Sequence, residues 1–95
     1  MAANTVAAYK DGVGNQINAI QWNGDAGTKT NIIAWTKRAH FNAKGRLTIQ
    51  NDHLMQGAGT NDWLVMDSRR VDQVFVSTNP QFRATYLLPG GGPIP

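Results

Sequence analysis

Apolar and polar positions alternate over Ile17–Trp22, with Ile20 and Trp22 on one side and Gln21 between them, which predicts a β-strand. Asn23-Gly24-Asp25-Ala26-Gly27 then forms a turn cluster, and the period changes to helical: Ile32, Ile33, Trp35 and Thr36 share a stripe. Thr28 or Thr30 is placed to cap this helix. At roughly 9 to 11 residues it depends on tertiary packing rather than on intrinsic propensity. His40–Asn42 and Arg46–Gln50 flank Ala43-Lys44-Gly45, a hairpin in which Gly45 supplies a positive φ. Asn51–Asn61 reads as a polar connection with a short strand at Leu54-Met55 and a turn at Gly57-Ala58-Gly59.

Trp63-Leu64-Val65-Met66 is apolar on both faces and predicts the most buried strand. Asp67–Asp72 turns the chain and Gln73–Ser77 returns as its partner. Asn79 is expected to cap a last helix with Pro80 at its first position, where the missing N–H costs nothing. Phe82 and Tyr86, four apart, fall on one face of that helix, over the sheet, and Pro89 stops it. The pattern predicts a small single α+β domain over residues 16–88. Its sheet is antiparallel, with one short helix after the first strand and a C-terminal helix packed on the sheet. Residues 1–15 are expected as a flexible N-terminal arm, with a short strand near Val6–Tyr9, and residues 89–95 as a Pro/Gly-rich tail.

Ninety-five residues suffice for one modest core. All the acids are Asp, an absence of Glu that favours strands and turns over helix surfaces. With no Cys, disulfides, thiolate metal sites and a Cys nucleophile are excluded. No apolar run approaches the roughly 20 residues that span a membrane. The opening Met1-Ala2-Ala3-Asn4-Thr5-Val6 lacks the basic and apolar segments of a signal peptide, so a cytoplasmic protein is expected.

Candidate chemistry is sparse. Gly24-Asp25, at a strand-to-helix junction, could offer backbone N–H groups to a phosphate. With no Gly-Lys-Ser/Thr motif and no G-x-G-x-x-G, a structural turn whose Trp22 packs on the final helix and whose Asp25 caps the loop is the simpler account. His40 and His53 lack metal-ligand spacing. An Asp52–His53 dyad would need a nucleophile, and Ser68 and Ser77 sit in no elbow motif. No catalytic residue, cofactor or metal site is assigned, and an enzyme is not expected. The net charge of +3 draws attention to Lys37, Arg38, Lys44, Arg46, Arg69 and Arg70. If the helix end and two hairpin tips share one sheet edge, these six would meet an acidic protein surface or a phosphate backbone. No aromatic interleaves with them in a stacking pattern, so nucleic acid is the weaker alternative.

Several spaced motifs resemble a known group. Gln21-Trp22-Asn23-Gly24-Asp25, Asp62-Trp63-Leu64-Val65 and Phe75-Val76-Ser77-Thr78-Asn79-Pro80-Gln81-Phe82-Arg83-Ala84-Thr85-Tyr86 are similar to small uncharacterised proteins of tailed bacteriophages and prophages, over residues 17 to 87. The chain departs from that pattern at Thr60-Asn61-Asp62, where the group has Pro-Gly-Asp before the aromatic. The resemblance implies a phage accessory protein made in the host bacterial cytoplasm. Its expected work is non-catalytic binding of a host protein, with self-association through an unpaired strand as a further partner. The alternatives are a virion or decoration protein, an anti-defence protein that binds a nucleotide signal, and a nucleic-acid-binding protein.

Overall fold

The computed structural model describes residues 3–51, 55–67 and 73–94. It is a small α+β domain with the element order β1 (Ala7–Lys10), β2 (Gln16–Gln21), α1 (Ala26–Trp35), β3 (Ala39–Phe41), β4 (Leu47–Gln50), β5 (Met55–Ala58), β6 (Trp63–Asp67), β7 (Phe75–Ser77), α2 (Asn79–Thr85). The strands form two antiparallel sheets, a four-stranded one ordered β1-β2-β6-β7 and a three-stranded one ordered β3-β4-β5.

The four-stranded sheet is central because β2 and β6 are apolar on both faces. Their register sets Ala19 opposite Val65 and Ile20 opposite Leu64. Successive side chains leave opposite faces. Ile17, Ala19, Trp63 and Val65 therefore meet Phe82 of α2, while Ile20, Trp22 and Leu64 meet Ile32 of α1 and Leu47, Ile49 and Ala58 of the second sheet. The strand expected to be most buried is so: Trp63, Leu64 and Val65 are all buried.

Two side-chain amides join the sheets along the outer edge of β7. Asn51 Nδ2 donates to Val74 O (2.7 Å) and Val74 N donates to Asn51 Oδ1 (3.1 Å), so a buried amide replaces a strand partner. Gln56 Oε1 of β5 accepts from Val76 N at 3.2 Å. An edge that would otherwise leave unpaired backbone groups is thereby closed.

Several expectations change. The residues expected as a flexible arm are tied into the fold. β1 pairs along its whole length with β2, through a turn in which Asp11 Oδ1 accepts from Val13 N and Asn15 N and Gly14 takes φ 91°. Upstream, Asn4 N donates to Thr28 Oγ1, Asn4 Nδ2 donates to Gln21 O, and Asn31 Nδ2 donates to Asn4 O. This crossing requires Gly27, since a Cβ there would lie 2.8 Å from Ala3 Cβ. The Pro/Gly-rich tail also turns back: Leu88 N donates to Gly92 O, Pro93 bridges to Leu87, and Ile94 packs against the α2-side core.

The helix caps differ too. Asp25 caps α1, accepting from Gly27 N and Thr28 N, while Thr28 is buried. Thr78 caps α2 in a capping box with Gln81. Asn79 instead accepts from Trp63 Nε1 (2.9 Å) and Arg83 Nε (3.1 Å). The turn expected at Gly57-Ala58 lies inside β5, which pairs in register with β4. Of the predicted helix stripe, Ile32 is buried and Ile33 is 53% exposed. Among the described residues no helix is long and apolar enough to cross a membrane.

Candidate functional site

β3 and β4 are joined by a tip that Asn42 organises. Its Oδ1 accepts from Lys44 N and Arg46 N (both 2.9 Å), its carbonyl accepts from Gly45 N, and Gly45 has φ 79° as expected. Facing it is the turn between β5 and β6. There Asp62 Oδ2 accepts from Gly59 N at 2.8 Å, and Asn61, at φ 78°, donates its N–H to Trp22 O. Asn tolerates the left-handed region better than most residues, which suits it to this corner.

Between the two lies an open groove of about 840 Å³, lined by Trp22, Asn42–Arg46 and Ala58–Thr60. Trp22 is its aromatic wall, 7% exposed, with Phe41 edge-on at 5.1 Å between centroids. Lys29 Nζ sits 5.1 Å over the Phe41 ring, a cation–π contact that holds a third cation behind the same wall.

Three N–H groups of the tip, those of Lys44, Gly45 and Arg46, donate within the turn. The charged donors of the tip are side chains. Lys44 and Arg46 are exposed. Trp63 donates its indole N–H to Asn79, whereas among the described residues no hydrogen bond engages that of Trp22. Since no fully buried side-chain nitrogen among the described residues lacks a partner, the Trp22 N–H keeps some exposure to solvent.

The six cations selected from the sequence do not form one group. Arg38 O accepts from Gln50 N at one end of the β3–β4 ladder, and Asn42 N donates to Arg46 O at the other. The four-residue step between those ends spans roughly 13 Å. Lys37 and Arg38 thus stand away from Lys44 and Arg46, and Arg69 and Arg70 lie outside the described residues. Gly24 and Asp25 make no open anion site, because the Asp25 carboxylate already occupies the first N–H groups of α1. His40 is exposed on the outer side of β3, while Asp52, His53 and Ser68 lie outside the described residues.

Trp22 and Lys29 were not selected from the sequence. A Trp in an alternating strand reads as core, and only its place at the strand end, just before Asn23-Gly24, hints at an opening. Trp22 was expected, in the structural reading of its turn, to pack on the last helix; Trp63 holds that position, stacked on Phe82 at 3.9 Å between centroids. No protein-family model, curated protein or solved structure matches the chain.

Proposed function

We propose that the chain is a phage accessory protein that acts by binding a protein of the host bacterium, in the host cytoplasm, with no bond made or broken. The observation that carries this reading is the groove: a wide opening, walled by an aromatic and rimmed by two exposed cations, fits a macromolecular partner better than an enclosed small ligand. Trp and Arg, the residues that commonly anchor protein interfaces, are both present in it.

The phage resemblance gains support from the corner at Asn61. This residue stands where that group has Gly, and its φ of 78° is the conformation a Gly would adopt there without strain. The departure from the Pro-Gly-Asp pattern is therefore compatible with a Gly-type turn at this corner. Asp62 retains a role in it by accepting from Gly59 N.

Affinity capture from host lysate tests the reading. A single dominant host protein, retained at moderate salt, is the expected result. No specific prey, together with recovery of the chain in purified phage particles, would replace it with a virion role. A rise in melting temperature with a cyclic or linear nucleotide would replace it with nucleotide capture.

A further inference from the structure

Resting on the binding function just proposed, we infer that the Trp22 groove receives an acidic segment of the partner protein, with carboxylates set beside apolar side chains. The chemistry of the groove is lopsided. Its exposed charged donors are the Lys44 ammonium and the Arg46 guanidinium, and the Trp22 indole N–H in its aromatic wall keeps some exposure. Several of its acceptors are already engaged. Asn42 Oδ1 takes two tip N–H groups, Asp62 Oδ2 takes Gly59 N, and the carbonyls of Trp22, Asn42, Arg46 and Gly59 accept from Asn61, Gly45, Asn42 and Asp62. A guest that brings acceptors and negative charge complements the two exposed cations, and hydrogen bonds from cations to carboxylates are the strong kind. Ala43, Ala58 and Gly59 add a small apolar surface between those donors, which suits a neighbouring aliphatic side chain.

A protein segment is favoured over nucleic acid on three counts. Trp22 is 7% exposed and offers no open face for a base to stack on. The tip N–H groups of Lys44, Gly45 and Arg46 are turned inward to Asn42. Lys29 is held over Phe41 behind the wall, and Lys37 and Arg38 lie at the far end of the hairpin, so Lys44 and Arg46 begin no continuous track for a phosphate backbone.

The test is a titration of the ¹⁵N-labelled full chain with a synthetic peptide of alternating Asp and Leu. The matched Asn/Leu peptide and an oligothymidylate serve as comparators. The Asp/Leu peptide should shift the Trp22 indole N–H and the amides of Asn42–Arg46 and Ala58–Thr60, and added salt should weaken it. Lys44→Glu with Arg46→Glu should reduce its affinity about tenfold or more, and Trp22→Phe several-fold, while Lys37→Glu with Arg38→Glu should stay within about twofold. Lys44 and Arg46 are exposed and hold the tip only through their backbone, so the charge reversal leaves the fold intact.

Equal affinity for the Asn/Leu peptide, shifts centred elsewhere, tighter binding of the oligothymidylate, or an unchanged affinity in the Lys44/Arg46 double variant would each overturn the assignment. A host protein that wild type captures and this double variant captures equally well would leave the binding function standing and remove only the groove.

Discussion

The two faces of the central sheet each carry a tryptophan, in opposite circumstances. On the α2 face, Trp63 is stacked on Phe82 with planes within 4° of parallel, Tyr9 stands edge-on to both rings, Tyr86 closes over Phe82, and the indole N–H is bonded to Asn79. On the other face, Trp22 adjoins a largely aliphatic core, meets Phe41 edge-on, and has an indole N–H without a partner among the described residues. One residue completes a closed aromatic cluster. The other ends a core at an opening. A buried aromatic with every polar atom satisfied is explained by folding alone, whereas a nearly buried donor at the lip of a groove is available to a guest.

The severest way to break the comparison is to remove the aromatic cluster. Phe82→Ala deletes the ring that Trp63, Tyr9 and Tyr86 all contact, so it should cost about 3–5 kcal/mol. That is a large share of the roughly 5–15 kcal/mol that holds a typical domain together. Urea unfolding should show it as a marked drop in midpoint, where Trp22→Phe, a smaller change at the open end, shifts the midpoint far less. A midpoint loss for Phe82→Ala no larger than for Trp22→Phe would contradict the division into a closed and an open face.

The next largest effect lies on the groove side, at the amide that joins the two sheets. Asn51→Ala leaves both the N–H and the C=O of Val74 buried without their partner and should cost about 2–3 kcal/mol. Asn51→Asp should be worse than Asn51→Ala. Its carboxylate can still accept from Val74 N, but it turns a second acceptor toward Val74 O and buries a charge. Chemical denaturation of the pair decides this, and a milder Asn51→Asp would show that the amide is not read in both directions.

A smaller and more local effect is expected at Asp25. Asp25→Ala removes the acceptor for Gly27 N and Thr28 N and should cost about 1 kcal/mol, with Asp25→Asn recovering most of it. Hydrogen exchange should quicken at Gly27 and Thr28 and leave the α2 face unchanged. Equal quickening on both faces would mean that the two cores unfold as one unit.

What could be read in the sequence divides along a similar line. Elements defined by neighbours in the chain were legible: the doubly apolar β6, the tip around Gly45, the length of α1, and Phe82 with Tyr86 on one face. What depended on distant partners was not. Nothing near Ala7–Lys10 reveals that it pairs with β2, and Gly57-Ala58 resembles a turn until β4 is set beside it. The caps failed by short offsets. Asp25 and Thr78 each stand just ahead of the residues chosen, and several polar side chains in a row can cap equally well on paper. Of the site, Lys44 and Arg46 were chosen for their charge and do meet at the groove. Trp22 was missed because alternation marks it as core, and core it largely is.

The mildest test uses alkali to address the aromatic face alone. Burial pushes the phenol groups of Tyr9 and Tyr86 above their ordinary value of 10.0, and Asp67 and Asp11 add to the shift at Tyr86. The sign follows from which state loses protons first. As the pH rises past 10 the unfolded chain ionises its tyrosines while the folded chain holds those protons, so the unfolded state binds fewer protons and stability falls. The contribution is fully present below the unfolded value, declines as the pH climbs through the raised folded values, and levels off once both states are ionised. Replacing both tyrosines with Phe should remove this alkaline decline, whereas changes at Trp22, Lys44 or Arg46 should leave it in place. Melting temperatures across the alkaline range, read with and without the two hydroxyls, measure the difference. A decline of equal steepness in the double Phe variant would show that the closed face does not govern stability there.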